Sequence, residues 1–413
     1  MVKTDTELSK KVKDLVLDGI DLTAGRMKPH SDPFWKALKA AGTELWLDTG
    51  DIDEAAKIWT EEMSALTTNN TLLNHEVQKG IYDAYIKQAD ELLSDLPIDE
   101  RILEIAFILN ARHGLRLVQK FGGKVSVELH TDLADDLEGT VHYGMRYFEI
   151  CPEHFIVKVP LTATGLLGAR RLRERGIPVN FTLEFSARQN ALVTMVAKPN
   201  YCNVFLGRLN SYVAGNDLGD GNYVGEKTTI ASQRVVRKLG GGFREPTRQI
   251  AASLRGAEQL EHLAGIDVFT MPTKVAHDGH DHLSGEFSSK VDEDYPVKLA
   301  PGVKADEIGI GKLWDVPDNV IELGRSLDSK PPRDGEELVL RARQMGCADM
   351  FPDLSDEDYS FLSSEGKIPK HSRWAARIKA GKLAIDTLLN IAGLASFSAD
   401  QAELDSRVRS IVS

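Results

Sequence analysis

"FIVKVPLTATGLLGARRLRERGIPVNFTLEFS", residues 155–186, reads as strand, helix, strand. Phe155 to Leu161 is a short apolar run rich in β-branched residues, Leu166 to Arg175 is helix-like, and Val179 to Phe185 is a second strand candidate. Two strands joined through a helix run parallel, and strands without polar alternation are buried on both faces. Into the middle of the first strand the sequence sets Lys158, between Val157 and Val159. A buried ammonium is costly unless it is paired, neutralised or used.

The same beat runs from about residue 43 to 275. The strand candidates are Thr43–Thr49, Ser64–Asn69, Lys124–Leu129, Phe155–Leu161, Val179–Phe185, Tyr201–Gly207, Gln249–Ser253 and Asp267–Met271, with helix-like segments such as Ile52–Met63, Ala134–Glu149 and Ala187–Ala197 between them. Eight such units in one run favour a closed (β/α)₈ TIM barrel over an open doubly wound sheet. No G-x-G-x-x-G follows the first strand, so the usual mark of the open sheet is missing. The expected organisation is a helical segment and linker over residues 1–42, with Pro29 and Pro33 in the linker, then the barrel over 43–290. A mostly helical extension follows over 291–413. In it Trp374, Ile378, Ile385, Leu388 and Ile391 form an amphipathic stripe, expected to pack on the barrel or on a second copy in a homodimer.

Composition narrows the class. A 413-residue chain with 42% hydrophobic residues can bury a large core, and its net charge of −12 argues against nucleic acid or an acidic membrane as partner. Cys151, Cys202 and Cys347 show neither paired nor metal-ligand spacing, as expected in a reducing compartment. The opening MVKTDTELSKKVKDL has no apolar core of a secretion signal. A soluble cytoplasmic protein is expected.

The strand ends carry the chemistry, because a barrel of this kind presents its reactive face there. In order they offer Asp48, then Thr67 to Asn69, Glu128, Lys158, Asn180 with Thr182, Asn203 with Phe205 and Arg208, and Ser253 with Arg255. Polar side chains from seven successive strands at one rim point to a catalytic or binding site. An amine among apolar neighbours suits Schiff-base formation with a carbonyl, and Asp48 and Glu128 can move protons. Arg208, Ser253 and Arg255 cluster where barrels commonly hold phosphate. No H-x-H or His/Cys/carboxylate cluster lies on the strands, and HDGHDH at 277–282 reads as a solvated loop. Chemistry without metal or cofactor is expected, so turnover should survive a chelator. Loss of activity to chelator and its recovery with zinc or magnesium would reverse that reading.

These residues resemble the transaldolase family. "LWLDTGD" resembles its first-strand aspartate motif, "ALTTNNTLL" its T-T-N-P-S-L signature and "VSVEL" its third-strand glutamate motif. The segment quoted above resembles its lysine strand and N-x-T-L-x-F-S, "NVFLGRLN" is similar to S-P-F-V-G-R, and "QIAASLRGAEQLEHLAGIDVFTM" to its A-S-x-R segment. The resemblance implies Lys158 as imine former, Asp48 as acid/base at the cleaved carbon–carbon bond, and Glu128 with Thr182 holding a water. It implies Asn69 and Asn180 on a dihydroxyacetone unit with Ser126 nearby, and Arg208, Ser253 and Arg255 on phosphate. Phe205 fits the transferases, since the related fructose-6-phosphate aldolases carry tyrosine there. The reaction implied is cofactor-free transfer of that unit from fructose 6-phosphate or sedoheptulose 7-phosphate to an aldose phosphate, in the pentose phosphate pathway. An aldolase releasing dihydroxyacetone and a non-catalytic sugar-phosphate-binding barrel are the alternatives. The chain departs from the pattern at Asn70 and Thr71, at His130, and at Asn203, where the family has a serine.

Overall fold

The computed structural model describes residues 6–412. Eight parallel strands close into a barrel in sequence order. They are β1 (Glu44–Asp48), β2 (Met63–Thr67), β3 (Lys124–Glu128), β4 (Phe155–Pro160), β5 (Val179–Thr182), β6 (Tyr201–Phe205), β7 (Arg248–Ala252) and β8 (Val268–Pro272). β8 pairs with β1, Glu44 opposite Val268, which closes the ring. Helices follow the strands and cover the outside, so the architecture is the expected TIM barrel.

The apolar runs become strands because both of their faces are covered. Leu45, Trp46 and Leu47 are all fully buried, as are Val125 and Val127 on β3 and Phe155, Ile156 and Val157 on β4. Each such side chain contributes about 1.5–3 kcal/mol on burial. The crossover helices start where the sequence supplies caps. Thr162 accepts the Gly165 N–H before the helix Ala163–Glu174, and Ser186 accepts the Gln189 N–H before Ala187–Val196. β5 ends sooner than expected because Leu183 adopts a left-handed backbone, φ +69°, which turns the chain out of the sheet.

Three expectations outside the strands need correction. Pro33 does not sit in a linker: Asp32 caps a helix, Pro33–Ala40, by accepting the Phe34 and Trp35 N–H groups, with the proline in its first turn. HDGHDH is not a loop but the end of the helix Thr273–His282, where His280 lies 3.1 Å from Asp32. No group of three or more His, Cys, Asp or Glu side chains among the described residues is arranged to hold a metal. The stripe from Trp374 to Ile391 belongs to two helices, His371–Lys379 and Ile385–Arg409, because Gly381 breaks the chain at φ +67°. Its apolar residues are nonetheless covered, with Trp374, Ile378, Ile385 and Leu388 buried and Ile391 packed against the core. Among the described residues no helix is long and apolar enough to cross a membrane.

The helix Ile385–Arg409 matters most for the site, because it lies across the C-terminal mouth of the barrel. At one side the Asn390 amide donates to the Leu161 and Leu183 carbonyls, at 3.1 and 2.8 Å, where β4 and β5 end. At the other side it reaches the helix Asn70–Gln78 after β2. There Thr71 donates to Asp400, and the Asn74 amide donates to Glu403 at 3.0 Å. Gly393 lets it lie close, since a Cβ there would stand 2.8 Å from Leu183 Cδ2 and 3.0 Å from Arg208 Nη1.

Candidate active site

Strand register brings the proton-moving groups together. Glu128, Lys158 and Asn180 are neighbours on β3, β4 and β5, so their side chains share a face of the sheet. The Lys158 amine donates to the Thr68 carbonyl at 3.0 Å and lies 3.4 Å from Glu128 Oε2. Asp48 stands on β1, where its carboxylate accepts from the Thr67 hydroxyl at 2.7 Å. Thr67 is in turn 2.6 Å from Thr270 on β8. While Asp48 is ionised the Thr67 proton is committed to it, so Thr270 donates to Thr67. The chain of hydroxyls therefore fixes the carboxylate's direction.

Burial pushes both the Asp48 and Glu128 carboxyls above their ordinary values, and the Lys158 charge opposes the shift in each. Two raised carboxyls beside one amine form a set suited to passing protons. The layer continues into β6. The Asn180 amide donates to Ser126 Oγ at 3.0 Å, while Asn203 donates to Asn180 Oδ1 at 2.8 Å and also to the Phe181 carbonyl. Thr182 is fully buried, and its hydroxyl has no hydrogen-bond partner among the described residues.

The opposite side of the site is cationic. Arg208 is 5% exposed, yet its Nε and Nη1 have no hydrogen-bond partner among the described residues. Burial, and then the nearby Arg255, pull its pKa down to about 10, which still leaves it charged at neutral pH. Burial lowers Arg255 as well, against the pull of Asp48. Between them in the sequence Ser253 is held at φ +62°, a conformation that costs a non-glycine residue about 1–3 kcal/mol. The turn is crowded: a Cβ on Gly207 would lie 2.1 Å from the Ser253 carbonyl oxygen. A strained turn between two uncommitted arginines is suited to gripping an anion.

Of the residues expected from sequence, Asp48, Asn69, Lys158, Asn203, Phe205, Arg208, Ser253 and Arg255 line one open cavity of about 150 Å³. Asn69 uses its carbonyl to cap the next helix, accepting the Leu72 N–H at 2.9 Å, which leaves its NH₂ to donate. Glu128, Ser126 and Asn180 do not line the cavity and join it through the bonds described above. Thr182 is the one placed without such a link. Sequence reasoning gave no role to Thr71, Leu72, Ala252 or Thr270, although each lies on or just after an expected strand. It missed Lys367 and Phe397 altogether, because both come from the extension and only its return across the mouth brings them to the cavity.

That return also accounts for two of the four departures. Thr71 donates to Asp400 of the crossing helix, and His130 Nε2 lies 3.2 Å from its Asp405. Asn70 binds the barrel instead, sending its amide to the Leu129 carbonyl at 3.4 Å and its backbone N–H to Glu128. Asn203, the fourth, binds within the strand layer instead.

The comparisons with known proteins agree with this geometry. A transaldolase from Prochlorococcus marinus is 29% identical over 319 residues, covering 72% of this chain and 92% of that one. A probable transaldolase from Thermus thermophilus is 33% identical over 238 residues, 56% of this chain and 88% of that one. A transaldolase from Protochlamydia amoebophila is 28% identical over 257 residues, 60% and 78% of the two chains. The family model described as transaldolase/fructose-6-phosphate aldolase matches residues 45–304, from inside β1 to beyond the end of β8. The match thus spans the whole barrel and all the strand ends that build the cavity, and the chain belongs to the transaldolase/fructose-6-phosphate aldolase family.

Proposed function

We propose that the chain is a transaldolase that moves a dihydroxyacetone unit from a ketose phosphate to an aldose phosphate through a Schiff base on Lys158. The observation that carries this reading is one cavity with the Lys158 amine and the Asp48 carboxyl at its floor and Arg208, Ser253 and Arg255 at its side. The amine attacks the ketone carbon of the donor, and the ketone oxygen leaves as water with protons relayed through Glu128, which Thr182 helps by holding that water. Asp48 then takes the proton from the hydroxyl on the far carbon of the bond to be broken. The carbon–carbon bond cleaves, its electrons move into the iminium, and an aldose phosphate departs. The remaining enamine attacks an acceptor aldehyde, and Asp48 returns the proton to the new alkoxide. Water adds to the resulting iminium, breaking the carbon–nitrogen bond to free the new ketose phosphate and the amine. Asn69 and Asn180 orient the hydroxyls of the three-carbon unit, with Ser126 and Asn203 holding Asn180 in place.

The test is chemical trapping. Protein incubated with fructose 6-phosphate and borohydride should gain the mass of a reduced three-carbon adduct on the peptide containing Lys158. No adduct with any ketose phosphate would remove the proposal.

The anion grip can be measured separately. Arg208→Ala should raise KM for phosphorylated donors by roughly 10- to 150-fold, the equivalent of about 1.5–3 kcal/mol for a lost charged hydrogen bond. Donors lacking phosphate should be unaffected in KM. An equal loss on them would make Arg208 a structural residue instead.

A further inference from the structure

The crossing helix brings a phenyl ring into a cavity otherwise lined mainly by polar side chains. Phe397 is 3% exposed, and its ring centroid lies 5.8 Å from Lys158 Nζ and 5.6 Å from Arg208 Cζ. Phe205, the other ring of the cavity, stands 5.2 Å from Arg208 Cζ and packs on Phe185 at 5.6 Å between centroids. Phe397 is therefore the ring set over both the amine and the guanidinium. Its position is fixed from both sides of the mouth, by Asn390 on the β4 and β5 carbonyls and by Asp400 on Thr71.

Such a placement bears on a choice the reaction must make. Once the aldose phosphate has left, the three-carbon unit remains on Lys158 as an enamine. It can attack an aldehyde, forming a carbon–carbon bond while a proton passes to the aldehyde oxygen. Alternatively a proton can add to its terminal carbon to give the iminium. Water then attacks the iminium carbon, the carbon–nitrogen bond breaks, the water's oxygen becomes the ketone oxygen, and its protons return to the amine and a neighbouring carboxylate. Transfer also ends in hydrolysis of an iminium, which frees the new ketose phosphate, so the routes part earlier: in the second the enamine carbon takes a proton from solvent before an aldehyde reaches it. Excluding solvent from a reactive intermediate is a recognised way to suppress such proton leakage.

We infer that Phe397 decides the fate of the bound unit: its ring over Lys158 keeps solvent from the enamine carbon, delays its protonation and so favours transfer over release of free dihydroxyacetone. The inference rests on the Lys158 Schiff base proposed above. Phe397 acts by shielding and positioning, since a phenyl ring supplies no proton and forms no bond. The helix after residue 384 is then part of the site, although it contributes no polar group to the amine.

The experiment uses the full chain and the variants Phe397→Ala and Phe397→Leu. Each is incubated with fructose 6-phosphate, with and without a four-carbon aldose phosphate as acceptor. Free dihydroxyacetone and transferred product are both counted. Phe397→Ala should raise the ratio of release to transfer by about tenfold, whereas Phe397→Leu, which stays apolar and nearly fills the space, should remain close to the wild type. If the alanine variant does not fold, Phe397→Val replaces it with the same expected direction. A merely structural role would lower both outputs together and leave the ratio unchanged, and that result would overturn the inference. The wild-type borohydride adduct separates the two ideas. Adduct on Lys158 with an unchanged ratio removes only the role of Phe397, while no adduct removes the Schiff base and this inference with it.

Discussion

Lys158→Met should fold and should turn over no ketose phosphate, a loss of at least about 10⁴-fold, as expected when a covalent nucleophile is removed. The competing explanation of this lysine is an ion pair, and the geometry gives it some weight. The amine lies 3.4 Å from Glu128, with the two side chains 5% and 2% exposed. Breaking a buried pair from one side costs about 3–5 kcal/mol when it leaves an uncompensated charge. Here, however, burial has already pushed Glu128 and Asp48 upward, and the lysine is the main group holding them down. Without it they can take up protons rather than remain as stranded charges. A carboxyl whose folded pKa lies above its unfolded value stabilises most in acid and loses that contribution as pH rises. The stability deficit of Lys158→Met should therefore be small near the ordinary carboxylate range and grow toward alkaline pH. Thermal melts across pH would measure it, together with the borohydride adduct, which the variant should lack. A folded variant that keeps turnover, or a wild-type adduct on another lysine, would sink the assignment.

Much of this site is legible in the sequence because a parallel barrel makes simple demands on it. Its strands must be apolar on both faces, so a lysine at 158 or an aspartate at 48 stands out against that background. The strand order then forces such residues to one rim. What was not legible lies where contacts depend on distant segments. Nothing in "LASFSADQAELD" marks Phe397 as an active-site residue, since its apolar neighbours follow the ordinary pattern of a packed helix. Only the crossing of the mouth, anchored by Asn390 and Asp400, gives it Lys158 as a neighbour. The stripe from Trp374 onward has helical spacing throughout, yet it is divided between two helices. Helical spacing survives a short break, and Gly381 alone did not signal that the helix would stop. The same holds for Thr71 and His130, whose departures from the family pattern have partners more than 270 residues away in the chain.

The largest stability effect should come from the point that fastens the crossing helix to the barrel. Arg188, 3% exposed, donates through Nε and Nη2 to the two oxygens of Asp386 at 2.7 and 2.8 Å, and through Nη1 to Asp349 at 2.8 Å. Ser186 adds a bond to Asp386 at 2.6 Å, and Lys312 one to Asp349 at 2.7 Å. Asp386 is wholly buried in the first turn of the helix, where the backbone dipole also favours a negative charge. Burial alone would raise its carboxyl, but the Arg188 guanidinium, with bonds from Ser186 and the Thr387 N–H, outweighs burial and holds it below its ordinary 3.8. Arg188→Met keeps the volume and removes the charge, leaving Asp386 buried without its main partner. The expected cost at neutral pH is about 3–5 kcal/mol. The sign of its pH dependence follows. In the wild type a depressed carboxyl contributes stability above the unfolded value, and that contribution disappears as pH falls through the folded one. In the variant burial acts unopposed by arginine, so the carboxyl rises and is neutralised sooner on acidification. The gap between the two proteins should therefore be widest at neutral pH and narrow as pH falls toward the ordinary carboxylate value. Denaturant melts of both proteins over that range would measure it. A gap that stays constant with pH would mean that Arg188 supports the helix by packing and not by its charge.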